Sequence, residues 1–212
     1  MALVRNLVLV RHGQSATNAA NVFTGWNDPP LTDLGREEGR AVAERLTSAG
    51  LAPDRIFSSP LQRCAEMVGI IMTKMAIDPP VRESADLNER DYGALNGQNK
   101  DEAARTYGAA QVRRWRRSYA EAPPGGESLR DTAARVLRYY VRDILPATMA
   151  GGTTLVVSSG NALRSLVMTL DGLDAVEIER FDISTGAILH YQLGADTRVE
   201  RRSILYNKVQ PQ

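Results

Sequence analysis

The run from Asn6 to Val10 is a short, continuously apolar strand that stops abruptly at Arg11-His12-Gly13-Gln14-Ser15. A strand of this kind has no face to offer water, so it belongs inside a parallel sheet covered on both sides. Thr153 to Val157 repeats the pattern. Parallel strands need long crossovers, and the chain supplies them as helices. Leu31 to Ala49 reads as an amphipathic helix with Thr32 or Asp33 as N-cap and Gly50 as its stop. Arg55 to Ser58 reads as a strand, Leu61 to Met75 as a helix, Glu127 to about Met149 as a long helix, and Asn161 to Leu170 as another. Ile188 to Leu193 and Val199 to Leu205 close the chain as two strands that pair across Gly194-Ala195-Asp196. The polar stretch from 78 to 124, with helical pieces at Lys100 to Tyr107 and Val112 to Tyr119, reads as an insertion. The expectation is an α/β three-layer sandwich with a mainly parallel central sheet flanked by helices, forming one domain over 1–212.

With 43% hydrophobic residues in 212, the chain can bury a full core. Its 26 basic and 25 acidic side chains leave a net charge of +1, so no global field draws nucleic acid or an anionic membrane, and any preference for anions is local. Cys64 is the only cysteine, which excludes an internal disulfide, and Arg5 and Arg11 interrupt the first apolar run, unlike the core of a signal peptide. No segment approaches the roughly 20 apolar residues that span a bilayer. A soluble protein of the cytosol, without nucleic-acid or membrane partners, is the expectation.

In open α/β sheets ligands bind beyond the carboxyl ends of the strands. Two such places carry chemistry here, Arg11-His12-Gly13 and Ser158-Ser159-Gly160-Asn161. A lone histidine after a strand is ordinarily structural, but the neighbours of His12 describe an anion pocket. Arg11 can grip a phosphate through two N–H groups, Gly13 lets backbone approach closely, and Ser15 and Asn18 add neutral donors. A neutral imidazole can attack phosphorus if its other nitrogen is pinned by a carbonyl.

Leu7-Val8-Leu9-Val10-Arg11-His12-Gly13-Gln14-Ser15, Asn18 and Phe23-Thr24-Gly25-Trp26 resemble the opening of the 2,3-bisphosphoglycerate-dependent phosphoglycerate mutases of the histidine phosphatase superfamily. The resemblance continues in the family's order through Leu87-Asn88-Glu89-Arg90-Asp91-Tyr92-Gly93, Asn99-Lys100, Trp115-Arg116-Arg117, Pro123-Pro124-Gly125-Gly126-Glu127-Ser128 and Gly160-Asn161 with Leu163-Arg164, nearly the whole chain. It implies that His12 is phosphorylated, that Arg11 and Arg63 bind the transferring phosphoryl group, and that Glu89 is the general acid and base. It also implies that Ser15, Asn18, Thr24 and Gly25 lie near that group, with Arg90, Tyr92, Lys100, Arg116, Arg117 and Asn161 holding substrate. The implied activity interconverts 3-phosphoglycerate and 2-phosphoglycerate, a step shared by glycolysis and gluconeogenesis. It uses 2,3-bisphosphoglycerate as phosphoryl primer and no metal, and the chain shows no His, Cys and carboxylate cluster at ligand spacing. A homo-oligomer, dimer or tetramer, and an insertion at 78–124 covering the active site come with the resemblance.

Ser159 departs from it, standing where the family places a second histidine before Gly-Asn. The only other histidine, His190, lies in a late strand and matches no catalytic position. Serine offers one neutral hydrogen bond from a shorter arm, so weakened transition-state stabilisation with anion binding largely intact is the expectation. Ser159 fits an engineered substitution or natural divergence; Ala16-Thr17, where Glu-Trp is common, and Asp91, where histidine is frequent, lean toward divergence. Two alternatives stand beside the mutase: a histidine phosphatase acting on another phosphorylated small molecule, and a catalytically weak phosphoacid-binding protein. The basic, aromatic run Arg113-Arg114-Trp115-Arg116-Arg117 also admits a nucleic-acid patch, which the near-neutral chain disfavours. The role of the tail after Tyr206, with its Lys208, stays open.

Overall fold

A computed structural model describes residues 3–208. Its six-stranded sheet runs in the order β3-β2-β4-β1-β5-β6. The strands are β1 (Arg5–Arg11), β2 (Arg55–Ser58), β3 (Val81–Glu83), β4 (Gly152–Ser158), β5 (Ile188–Leu193) and β6 (Val199–Tyr206). β1 to β4 are mutually parallel where they pair, whereas β5 runs antiparallel to both β1 and β6. The apolar run in β1 is explained by its place between β4 and β5. Leu7 and Leu9 point into one core with Phe57, Val156 and Leu166, while Val8 and Val10 point into the other with Val42, Met67 and Leu155. Side chains alternate across a strand, so a strand buried on both faces must be apolar throughout.

Helices α2 (Asp33–Ser48) and α3 (Gln62–Met75) pack together and cover one face. On the other, α6 (Leu129–Tyr139), a π-turn at Tyr140–Ile144 and α7 (Leu145–Met149) lie beside α8 (Gly160–Leu170). The helix starts obey local chemistry. Thr32 caps α2 by accepting from Gly35 N, and Ser128 forms a capping box with Asp131. The predicted single helix from 127 to 149 is broken by a π-turn whose cause is Pro146. Proline cannot donate to the carbonyl four residues back, and its ring crowds that carbonyl.

Several short elements lie outside the sequence-based expectation. β3 is an exposed three-residue edge strand, α1 (Ala16–Ala19) follows the Ser15 cap, and α9 (Ala175–Arg180) starts at an Asp174–Glu177 capping box. Between β3 and α6 lie α4 (Lys100–Tyr107) and α5 (Ala109–Arg117), the latter starting three residues before the expected Val112. They enclose a separate small core of Phe23, Leu95, Ala103 and Val112.

The loop after β1 is pressed onto the first turn of α2, backbone on backbone. A Cβ on Gly13 would overlap Gly35 O, and a Cβ on Gly35 would overlap Gln14 O. Helix propensity alone favours alanine over glycine at Gly35 by about 1 kcal/mol. The overlap reverses that sign, because neither backbone can yield without moving the His12 loop. Gly35→Ala is therefore expected to lower the unfolding free energy by about 1–3 kcal/mol, the usual cost of overpacking. Urea unfolding of the two proteins measures it, and equal or greater stability in Gly35→Ala contradicts the packing described.

Candidate active site

β1 ends at Arg11, and His12 continues it by donating its backbone N–H to Ser158 O of β4 at 3.0 Å. The two strand ends that carry chemistry are thus neighbours in the sheet. His12 is 3% exposed, and its Nδ1 lies 2.6 Å from Gly13 O. A carbonyl only accepts, so Nδ1 carries the proton and Nε2 is left with its lone pair. Burial, with Arg63 and Arg11 close by, holds the His12 pKa well below the ordinary histidine range against the opposing pull of Gly13 O. The ring is neutral and its Nε2 lone pair is free of a proton.

Above this strand end opens a cavity of about 400 Å³. Arg11, Asn18, Thr24, Glu89, Tyr92, Lys100, Arg116, Arg117 and Asn161 line it, drawn from β1, the α1 turn, the 78–124 segment and α8. The remaining predicted residues hold these from behind. Ser15 caps α1 and contacts Thr17 Oγ1 at 3.2 Å, and Thr17 contacts Thr24 Oγ1 at 2.6 Å. Arg63 donates to Gly25 O at 3.0 Å and to Asn27 O at 2.8 Å, and approaches Ser159 Oγ at 3.5 Å. Arg90 is fully buried, donating to Arg116 O and to Tyr92 OH. Ser159 is fully buried beside the Cys64 thiol, which burial pushes up to about 12. His190 stands apart in β5, bonded to Asn6 Oδ1 at 2.9 Å.

Glu89 is fixed at both ends. Its carboxylate accepts from Arg90 N at 2.6 Å and from Asn161 N in the first turn of α8 at 3.3 Å, and its backbone carbonyl accepts from Trp26 Nε1 at 2.7 Å and Arg135 Nη2 at 2.9 Å. Arg135, which sequence reasoning missed, also donates to Asp86 O and Asn88 O and is ion-paired with Glu127 at 2.8 Å. Arg164 is a second omission. It donates to Asn161 Oδ1 at 2.8 Å and so turns the amide Nδ2 toward Tyr92 OH at 3.1 Å. Gln14, Asp182, Ser184, Thr185 and Lys208 complete the lining on the side of the tail.

The electrostatic balance is lopsided. Six cations line the cavity, Arg11, Lys100, Arg116, Arg117, Arg164 and Lys208, against two carboxylates, Glu89 and Asp182. Burial, with Arg116 and Arg11 nearby, pulls Lys100 down to about 8, and burial with Arg90 and Arg117 pulls Arg164 down to about 10. The buried Arg11 Nε, Arg90 Nε and Nη1 and Arg164 Nε have no hydrogen-bond partner among the described residues. The surplus of lining cations suits an anionic ligand. Among the described residues, no group of three or more His, Cys, Asp or Glu could hold a metal ion, and no helix is long and apolar enough to cross a membrane.

Residues 7–203 match the model of the histidine phosphatase superfamily (branch 1). The 2,3-bisphosphoglycerate-dependent phosphoglycerate mutase of Methylorubrum extorquens is 50% identical over 203 residues, 95% of either chain. That of Beijerinckia indica is 50% identical over 95% of this chain and 98% of its own. Among solved structures, a mycobacterial glucosyl-3-phosphoglycerate phosphatase complexed with VO3 superposes with a TM-score of 0.81 at 25% identity, covering 94% of this chain and 97% of its own.

The depressed pKa of His12 has a consequence for stability. The unfolded chain takes up a proton on this ring at about pH 6.5 and the folded chain does not, so His12 stabilises the fold above that pH and its contribution falls as the pH drops. In proton NMR, the C2–H resonance that disappears in His12→Asn is expected to stay at its neutral position down through pH 6. A midpoint at 6.5 or above contradicts a neutral, pinned imidazole.

Proposed function

We infer that this chain, which belongs to the histidine phosphatase superfamily (branch 1) and within it to the 2,3-bisphosphoglycerate-dependent phosphoglycerate mutases, interconverts 3-phosphoglycerate and 2-phosphoglycerate through phospho-His12. The observation that carries this reading is a neutral histidine, pinned through Nδ1, next in the chain to Arg11, which lines a cavity with six lining cations and two lining carboxylates. Identity of about one half with named mutases, against one quarter with the phosphatase, favours transfer to a substrate hydroxyl over transfer to water.

Bound 2,3-bisphosphoglycerate supplies the phosphoryl group, and the six cations that line the cavity suit so charged a molecule. His12 Nε2 attacks phosphorus, forming the N–P bond as the donor P–O bond breaks. Arg11 and Arg63 balance charge spreading over the equatorial oxygens, as phosphoryl transfer requires. As that P–O bond breaks, Glu89 gives a proton to the oxygen left behind; in the return step a substrate hydroxyl attacks phospho-His12, the N–P bond breaks, and Glu89 takes the hydroxyl proton. Ser15, Asn18, Thr24 and Gly25 surround the phosphoryl end, and Arg90, Tyr92, Lys100, Arg116, Arg117 and Asn161 hold the rest of the substrate. Residues 1–212 act as one domain whose 78–124 insertion covers the site, in a cytoplasmic enzyme of glycolysis and gluconeogenesis that assembles as a dimer or tetramer and needs no metal.

Ser159 makes this a slow enzyme. A mutase assay with 3-phosphoglycerate and a trace of 2,3-bisphosphoglycerate, with intact mass recorded, compares the chain with Ser159→His. A gain of roughly 10² or more is expected, the scale of one preorganised donor, together with a phosphoryl adduct that His12→Asn lacks. Phosphate release in place of isomerisation moves the chain to the phosphatases, and tight ligand binding with no adduct in either protein leaves only a binding role.

The loop bearing Glu89 hangs on Arg135. Arg135→Lys keeps the charge but loses the fork across Asp86 O, Asn88 O and Glu89 O. Its kcat is expected to fall roughly tenfold or more with KM within about threefold, since positioning errors near 1 Å cost up to about 10². A rise in KM at unchanged kcat assigns Arg135 to substrate binding instead.

A further inference from the structure

Arg117 does not face the cavity alone. Its Nη1 lies 3.3 Å from Asp182 Oδ1 and its Nη2 3.2 Å from Asp182 Oδ2, the paired geometry with which a guanidinium takes any carboxylate or phosphate. Both residues line the cavity. The other lining carboxylate, Glu89, is already engaged by the backbone N–H groups of Arg90 and Asn161. Asp182 has no such anchor except Ile183 N at 3.1 Å.

Burial raises the Asp182 pKa, but Arg117 and Arg11 outweigh it and hold the carboxyl below its ordinary value, so a full negative charge sits in a cavity built for anions. The pair is open to exchange: the side chains are 32% and 55% exposed for Arg117 and Asp182. Exposed pairs of this kind contribute little to stability, which argues against a strut. The backbone behind Asp182 is nevertheless held in place. Asn207 Nδ2 donates to Asp182 O at 3.0 Å, Ser184 N donates to Asn207 Oδ1 at 2.9 Å, and Arg11 donates to Ile183 O. A fixed backbone presents a displaceable carboxylate to one particular cation.

We propose that Asp182 is an internal counter-anion that occupies Arg117 in the free protein, is displaced by the second acid group of a phosphoacid, and thereby determines how strongly the cavity favours two-headed ligands over inorganic phosphate. The inference rests on the phosphoacid reading of the cavity. A ligand with one anionic group seats at the Arg11 and Arg63 end and leaves the Arg117–Asp182 pair in place. A ligand with two must separate the pair and then sit beside the released carboxylate. The cost of separating the pair falls on the second group, while the Asp182 charge acts at the Arg11 end only through space.

The test is calorimetric titration of the wild-type chain, Asp182→Asn and Asp182→Glu with 3-phosphoglycerate and, separately, inorganic phosphate at low ionic strength. Asp182→Asn is expected to bind 3-phosphoglycerate roughly tenfold more tightly, the scale of one exposed ion pair plus the repulsion of one like charge in water. Inorganic phosphate should change by less than about threefold, and Asp182→Glu should stay within about threefold of wild type for both. The gain should shrink toward 1 M salt, where screening acts within about 3 Å, which a looser fold would not produce. Weaker binding of 3-phosphoglycerate by Asp182→Asn makes Asp182 a strut and overturns the proposal. Equal tightening of both anions makes it a general field effect and overturns it too. If the wild-type chain binds neither anion, the phosphoacid reading fails and the proposal with it; binding without tightening removes the proposal alone.

Discussion

Buried guanidinium groups resting on backbone carbonyls hold this active site together, and the choice of partner decides the chemistry. Arg63 reaches from α3 to Gly25 O and Asn27 O, Arg135 from α6 to Asp86 O, Asn88 O and Glu89 O, Arg90 to Arg116 O, Arg164 to Ile178 O and Arg11 to Ile183 O. Each bond fastens a loop to the sheet or to a helix packed on it. A carbonyl satisfies an N–H without cancelling its charge. Among the described residues, Arg135 alone of the five is also paired with a carboxylate, Glu127. Arg11 and Arg164, both in the cavity lining, thus keep their charge while they anchor loops, and burial of Lys100, Arg116 and Arg164 is where the desolvation cost of the surplus shows.

The fold was legible wherever a segment's own pattern decided its state. β1 and β4 are apolar on both faces because both faces are covered, and that leaves its mark residue by residue. The cap at Thr32 is short-range chemistry and falls where the sequence places it, whereas α6 starts two residues after the expected Glu127, behind the Ser128 capping box. β3 had no such mark. Its three exposed residues exist as a strand only because Ile56 to Ser58 offers them a partner. The π-turn at Tyr140–Ile144 was hidden for a different reason: periodicity continues through it, and only the backbone registers the missing N–H of Pro146.

The site divides in the same way. His12, Glu89, Arg11 and the lysine and arginines of 100, 116 and 117 sit in compact runs of the sequence, so their types and order point to phosphate chemistry. Arg135 and Asp182 lie singly in a helix and a loop, and Arg164, though it stands in the run that starts at Gly160-Asn161, has no role implied for it there. A lone arginine on an amphipathic helix is indistinguishable from a solvated one until the helix is docked, and Asp182 means nothing until Arg117, 65 residues away, is brought against it. What stays hidden in a sequence is the residue that acts through a tertiary partner.

Ser159 separates two properties that usually travel together. Attraction of the substrate depends on the summed field of cations gathered from five parts of the chain, and removal of one donor changes that sum slightly. The rate depends on donors aimed at charge that develops only during transfer, and there a single missing imidazolium matters by orders of magnitude. Ser159 Oγ is fully buried against Arg63 and Cys64, and Arg63 already serves two carbonyls. On the proposed reading, the lining cations carry recognition of the phosphoacid while transfer runs on His12, Arg11, Arg63 and Glu89, so affinity and turnover become independently adjustable in this chain.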